Sequence, residues 1–397
     1  MKVLVVNAGS SSLKFMVFDH EGETYTMLAK GNLERIGLAE PNLIYQRGSE
    51  AKTEERVVAP DHAVAMQVLC HKLVDPACGV LKGLDEVEAI GHRVVHGGET
   101  FTSPVVVNGE VKAKIDACAA LAPLHNPPNL LGITACEEAF PGVPNVAVFD
   151  TAFHQTMDPS AYLYAVPREL YEEHGIRKYG FHGTSHKFVY GAACEYLGLD
   201  PATAKIITCH LGNGSSLAAV DGGKVLDTTM GMTPLAGLVM GTRSGNVDAG
   251  VVIYLIKHLG MSVDEVDTIL NKKSGLLGLG GRSDMREIIE AKKTDPHARQ
   301  AFASFIHRLA GYIGAYYTIL GGADAIVLTG GIGENSLPSR EALLGRLGAL
   351  GCHLDPEANQ VMGKARIIST PESALTALVM PTNEELMIAM ETTALIH

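Results

Sequence analysis

The chain opens on an apolar run, a small-residue turn and a second run in which apolar and polar positions alternate. Val3-Leu4-Val5-Val6 leads into Asn7-Ala8-Gly9-Ser10-Ser11-Ser12, and Lys14 then falls between Leu13 and Phe15. This pattern predicts strand, turn, strand. A close echo returns over Ile206 to Asp221, with Ser215-Ser216-Leu217 where Ser11-Ser12-Leu13 stood. Two such hairpins, each opening one half of the chain, predict a duplicated domain with two phosphate-gripping loops facing one cleft.

Between the hairpins the periodicity alternates between helix and strand. Asp61 opens a helical stretch with Ala63, Met66, Leu69 and Leu73 at helical spacing, and Val87 to Ile90 reads as a strand. Val111 to Leu121 and Leu130 to Phe140 read as helices, separated by a break at Pro123-Leu124-His125-Asn126-Pro127-Pro128. Asn145 to Phe149 is an apolar strand ending at Asp150. In the second half, Lys205–Cys209, Leu217–Val220, Lys224–Leu226, Ala325–Thr329 and Ala374–Met380 read as strands. His297 to Leu320 is a long helix, with Phe302, Phe305, Ile306, Leu309, Ile313 and Tyr316 on one face. Thr382-Asn383-Glu384-Glu385 reads as a helix start. Strands alternating with helices predict α/β domains with buried sheets, two packed lobes divided near Asp150.

With 397 residues, 46% of them hydrophobic, the chain is long enough for two cores. A net charge of −12 with no Trp disfavours a nucleic-acid surface. Small anions must then be met locally, by a few Arg, Lys, backbone N–H groups or a metal ion. Seven Cys without a Cys-x-x-Cys pair disfavour a disulfide framework or zinc ribbon and suggest a reducing, cytoplasmic setting. The sequence carries no secretory-signal pattern and no apolar run long enough for a bilayer, so no membrane partner is expected.

Three glycine loops are candidates for phosphate: Asn7 to Ser12, His210-Leu211-Gly212-Asn213-Gly214-Ser215-Ser216, and Gly330-Gly331-Ile332-Gly333-Glu334-Asn335-Ser336. Glycine lets backbone approach a phosphate closely. The second fails the dinucleotide fingerprint, because Leu217 replaces its third glycine, and no Walker loop occurs anywhere. Gly91-His92-Arg93-Val94-Val95-His96-Gly97-Gly98 and Thr242-Arg243-Ser244-Gly245 place arginines among glycines in an acidic protein, where bidentate anion binding is the better reading. His182 and His186 in Gly180-Phe181-His182-Gly183-Thr184-Ser185-His186 have the spacing of a zinc pair but no intervening Glu, so packing suits His186 better. Asp150 at the end of a buried strand demands a cation. Glu384 at a helix start complements the dipole or holds a hard metal ion.

Taken in order, these segments resemble the acetokinase family of the acetate and sugar kinase/Hsp70/actin superfamily. The resemblance spans essentially the whole chain and includes Phe-Asp-Thr-Ala-Phe-His at 149–154 and Thr-Asn-Glu-Glu at 382–385. It implies duplicated actin-like (ribonuclease H-like) ββαβαα-type α/β domains with an interdomain cleft. The first lobe would cover 1–150, with a C-terminal helix at about 383–397 packing back on it. The second would cover 151–382 and carry most of the nucleotide site. It also implies a homodimer and reversible transfer of the ATP γ-phosphoryl group to acetate, with Mg²⁺, for which Mn²⁺ can substitute.

By position, the resemblance makes Asn7 and Glu384 metal-site residues. Arg93, Val95 and His125 become acid-binding residues, and Asp150, His182 and Arg243 catalytic ones. ATP contacts fall on Lys14, His210, Leu211, Gly212, Asn213, Gly214, Asp284, Met285, Arg286, Gly331, Ile332, Gly333, Glu334 and Asn335. Family members often carry one residue more than Gly280-Gly281-Arg282 before Ser283, a departure that bears on the contacts at 284–286. Acetate is already ionised at neutral pH, so an orienting role suits Asp150 better than that of a base. The same scaffold would serve a propionate kinase. A chaperone-like or actin-like ATPase is disfavoured, because the chain ends soon after Glu384 and leaves no peptide-binding domain.

Overall fold

The computed structural model describes residues 1–396. Two units emerge: Met1–Phe153 together with Asn383–His397, and His154–Thr382.

In the first unit, β1 (Lys2–Gly9), β2 (Ser12–Glu21), β3 (Thr24–Glu34), β4 (Asn42–Arg47) and β5 (Thr53–Arg56) form an antiparallel meander. Beyond β1 the sheet continues with β6 (Val87–Val94), β8 (Asn145–Phe149) and β7 (Val105–Val106), giving the order β5-β4-β3-β2-β1-β6-β8-β7. β6 runs parallel to both β1 and β8. In the second unit, β9 (Lys205–Leu211), β10 (Ser215–Asp221), β11 (Lys224–Thr228), β12 (Ala325–Thr329), β13 (Arg366–Ile367) and β14 (Thr376–Val379) take the order β11-β10-β9-β12-β14-β13.

The two sheets share one strand order in their central five strands. Strands β3-β2-β1-β6-β8 and β11-β10-β9-β12-β14 both read 3-2-1-4-5, antiparallel on the hairpin side and parallel beyond it. This is the duplicated actin-like α/β arrangement. The hairpins themselves have diverged. The first turns through Ser10-Ser11, closing on the Gly9↔Ser12 pair; the second turns through Gly212-Asn213-Gly214, closing on Leu211↔Ser215.

Both faces of β1 are buried, which explains its unbroken apolar run. Leu4, Val6 and Ala8 join the core that holds Met66, Leu69 and Leu73 of the helix His62–Leu73. Val3 and Val5 pack with Val146, Val148, Ile388 and Ala389, under the C-terminal helix Glu384–Ile396. The first helix starts where its Asp61 cap accepts from Val64 N–H at 2.8 Å, a bond worth about 1 kcal/mol. The long helix runs Pro296–Ile319 and buries Phe302, Phe305, Ile306, Leu309, Ile313 and Tyr316, the predicted face.

One predicted break is present but shorter, because the next helix starts earlier than expected. Pro127 and Pro128 do not precede a helix at Leu130; they lie in the first turn of the helix Asn126–Ala139. The first helical turn has no acceptor for its N–H groups, so proline costs nothing there. The preceding helix is also shifted, to Gly109–Ala117 with Asn108 as its cap. No helix among the described residues is long and apolar enough to cross a membrane. All seven cysteines are free thiols.

Candidate active site

Parallel strands of an α/β sheet offer ligands their carboxyl ends. In the first unit, three predicted residues stand at such ends: Asn7 on β1, Arg93 on β6 and Asp150 just past β8. Side chains alternate along a strand, so counting in twos from Val3, Val5 and Val148 sends Asn7 and Asp150 to the face under the C-terminal helix. Arg93 follows Gly91 on that face, where a Cβ at Gly91 would run into Ile388 and Thr392. The β1–β2 register also pairs Asn7 with Lys14 across the hairpin.

Asp150 is completely buried and held by Arg93. Arg93 Nε donates to both carboxylate oxygens at 3.1 and 3.2 Å, and Nη2 donates to Oδ2 at 2.6 Å. One edge of the guanidinium is thus spent on Asp150. Nη1 has no protein partner among the described residues, so the opposite edge keeps donors for a second carboxylate. Burial works against the Arg93 charge, but Asp150, Glu384 and Glu385 outweigh it and raise its pKa.

The loop after Arg93 is pinned by two residues that the sequence did not flag. Asn126 Oδ1 accepts from His96 N–H and Asn129 Oδ1 from Val95 N–H, both at 3.1 Å. Asn129 Nδ2 reaches back to the Ala8 carbonyl at 2.8 Å, beside Asn7. Val95 is buried, and half-exposed His125 is the N-cap residue of the helix that carries both asparagines. Asparagines three apart in an apolar helix, each nearly fully buried, are the signal that was available.

Glu384 begins the C-terminal helix. Burial raises its carboxyl to about 7; Arg93 and Lys14 oppose the shift, while Asp150 and Glu385 add to it. No group of three or more His, Cys, Asp or Glu side chains gathers as a metal cage among the described residues. Magnesium does not need one, because it is held by one or two carboxylates plus substrate phosphates and water. A half-buried carboxylate whose proton affinity is raised by burial and by neighbouring acids, together with the amide oxygen of Asn7, is a hard oxygen donor set that fits that ion.

In the second unit, a cavity of about 860 Å³ gathers much of the predicted nucleotide set. Gly212 and Asn213 come from the hairpin, Asp284, Met285 and Arg286 from one helix start, and Gly331, Ile332 and Asn335 from the turn after β12. The wall is completed by Ser283, Ile289, Ser336, Pro338 and Met362. Ile289 lies one turn after Met285 on the helix Met285–Ala291, a spacing visible in the sequence. Asp284 is the cap of that helix, and Arg286 forks onto its carboxylate with Nη2 at 2.6 Å.

Other predicted positions build the cavity rather than line it. Leu211 belongs to the hydrophobic core, and Gly333 packs against the Leu328 backbone. Glu334 turns inward, its Oε1 accepting from Gly330 N–H at 2.9 Å and Thr382 N–H at 3.2 Å. Gly330 has φ +74°, and a Cβ there would stand 2.7 Å from the Leu211 carbonyl, so only glycine fits. Arg340, almost fully buried, spends its five N–H groups on Asn359 Oδ1 and the carbonyls of Gly333, Glu334, Asn359 and Val361. It thereby ties the glycine turn to the strand of chain before Met362.

His182 and Arg243 converge at the hairpin. A Cβ on Gly214 would stand 3.5 Å from Arg243 Nη1 and 3.5 Å from His182 Nε2. Arg243 donates from Nη1 to the Pro234 carbonyl at 3.1 Å, and no carboxylate lies within ion-pair distance among the described residues. Burial alone lowers its pKa. His182 has φ 58°, a left-handed conformation uncommon outside glycine, immediately before the helix Gly183–Leu197. Its ring stacks on His210 at 4.2 Å. The zinc-pair spacing has another use: both His182 and His186 bond to the Ser216 hydroxyl.

A profile of the acetokinase family matches residues 2–390. An acetate kinase of Carboxydothermus hydrogenoformans is 52% identical over 397 residues, covering all of this chain and 99% of its own. The crystal structure of Porphyromonas gingivalis acetate kinase superposes with a TM-score of 0.95 at 44% identity, covering both chains completely. A propionate kinase from Francisella tularensis gives 0.92, also at 44% identity and over 99% of each chain. Profile, sequence and three-dimensional similarity agree over the full length, and the chain belongs to the acetokinase family.

Proposed function

We propose that this protein is an acetate kinase, transferring the γ-phosphoryl group of ATP reversibly to acetate to give acetyl phosphate and ADP, with Mg²⁺. Family membership makes it a phosphotransferase with a carboxyl-group acceptor that uses ATP and ADP. The finer reading rests above all on Arg93, whose guanidinium is fixed by buried Asp150 on one edge and open on the other.

Acetate and γ-phosphate repel one another, and phosphoryl transfer needs in-line positioning and positive charge more than covalent help. In this reading the open edge of Arg93 holds the acetate carboxylate, against Val95 and His125. Asp150 orients Arg93 and takes no proton. Arg243 and His182 receive the charge that develops on the transferring group, and the cavity beside Asn213 holds the nucleotide. Asn7 and Glu384 would hold Mg²⁺, which neutralises phosphate charge when bound. The homodimer reading draws support from the helix Ala249–Lys257, which exposes Val251, Ile253, Tyr254 and Ile256, with Leu259 and Val263 just beyond it. A contiguous apolar stretch of that kind suits an interface.

Propionate kinase is the second reading, favoured by the Francisella structure at the same identity as the Porphyromonas one. The carboxylate end would be read identically, and one methylene in an apolar pocket is worth about 1–3 kcal/mol, or roughly 10–200-fold. Comparing kcat/KM for acetate, propionate and butyrate decides between them. Acetate is expected first; propionate ahead of acetate would replace the reading, and ATP hydrolysis indifferent to any acid would overturn both.

A further inference from the structure

His182 is linked through Ser216 to a chain of side chains that ends in the core. His182 Nδ1 lies 2.9 Å from Ser216 Oγ, and His186 Nε2 lies 2.8 Å from the same oxygen. His186 Nδ1 lies 2.7 Å from Thr208 Oγ1. Ser216, His186 and Thr208 are each completely buried.

Such a chain has a direction, because each hydroxyl has one proton and a neutral imidazole has one N–H. Burial, with His154 and His210 nearby, holds the His186 pKa well below the usual range, so His186 is neutral. Thr208 can give its proton to His186 Nδ1 at 2.7 Å or to the Ala218 carbonyl at 3.5 Å. The second distance is at the limit of a hydrogen bond, so the nitrogen receives it. His186 must then carry its own proton on Nε2 and donate to Ser216. The Ser216 proton is left for His182 Nδ1, which accepts. A neutral His182 therefore has its proton on Nε2, which like Cε1 and Arg243 Nη1 lies 3.5 Å from where a Cβ on Gly214 would stand.

We propose that Thr208, His186 and Ser216 are positioning residues that fix His182 in its Nε2–H tautomer, so that Nε2 presents an N–H rather than a lone pair to the transferring phosphoryl group. The opposite tautomer would aim a lone pair at an anion. The catalytic consequence rests on the acetate kinase reading; the tautomer itself does not.

The test has two arms. Two-bond proton–nitrogen correlation spectra of the ¹⁵N-histidine-labelled protein, assigned with His182→Ala and His186→Gln, report which nitrogen is protonated. The expected result is Nε2–H on both rings; Nδ1–H on His182 overturns the proposal whatever the enzyme's substrate. In the second arm, Ser216→Ala is expected to lower kcat about 10–100-fold, the usual range for groups that orient an active side chain. The KM for ATP and acetate should stay within about twofold, since the relay meets the reaction only through His182. In a His182→Ala background the same change should have no further effect. Equal losses in both backgrounds would show a structural role and overturn the proposal. If Ser216→Ala fails to fold, the wild-type spectrum still decides.

Discussion

Truncating Arg243 separates charge placement from binding. Its guanidinium is partly buried and bonded to the Pro234 carbonyl, with no carboxylate partner among the described residues. Arg243→Ala therefore strands no opposite charge, and the fold loses about one hydrogen bond, on the order of 1 kcal/mol. The nucleotide cavity is lined without Arg243, so affinity for ATP should stay within about threefold. The loss should fall on the transition state, where one such donor is worth about 10²–10³ in rate, or about 2.7–4 kcal/mol. Initial rates of acetyl phosphate formation, trapped as the hydroxamate, give kcat, and calorimetric titration with ATP gives Kd. Arg243→Lys keeps the charge but loses the planar fork, and should recover only part of the rate. An ATP Kd weakened by the same factor as kcat/KM would refute the argument, as would a drop in Tm large enough to explain the lost activity.

Two further outcomes are expected. Glu384→Gln should raise the Mg²⁺ concentration for half-maximal rate about 10–100-fold; an unchanged Mg²⁺ titration would remove Glu384 from the metal site. His92 is fully buried against Asn145 Oδ1 at 2.7 Å, and burial lowers its pKa to about 4. The unfolded chain binds that proton more readily, so the stability His92 contributes is complete above pH ~6.5 and is lost as pH falls towards 4, on the order of 3 kcal/mol in all. Urea midpoints measured from pH 7 to 4.5 should fall less steeply for His92→Gln than for the wild type, and parallel curves would contradict the linkage.

What could be read from the sequence was local. Asp61 is a cap because its side chain reaches three residues ahead, and the 3.6-residue repeat from Phe302 to Tyr316 marks one face of one helix. The glycine loops were legible because phosphate needs bare backbone, and six residues from two of them do line one cavity. Other features depend on residues far apart in the chain. Nothing near Asn129 says that it bonds the Ala8 carbonyl, 121 positions away. Met362 joins the cavity through the bonds Arg340 makes to carbonyls on two separate segments. The helix after the proline break was started too late for a different reason: proline forbids a helix interior yet suits a helix start, and composition alone does not distinguish the two.

The interrupted make-up of the first unit has a consequence for synthesis. Val3, Val5, Val146 and Val148 are covered by Ile388 and Ala389, and the whole of His154–Thr382 is made between them. At about 5–20 residues per second, those 229 residues (382 − 153) occupy the ribosome for roughly 10–50 s. Throughout that interval one side of the nascent sheet has no helix to lie against. The emerging polypeptide consequently exposes the kind of apolar surface that chaperones hold, and slowing translation across the second unit should lengthen that exposure.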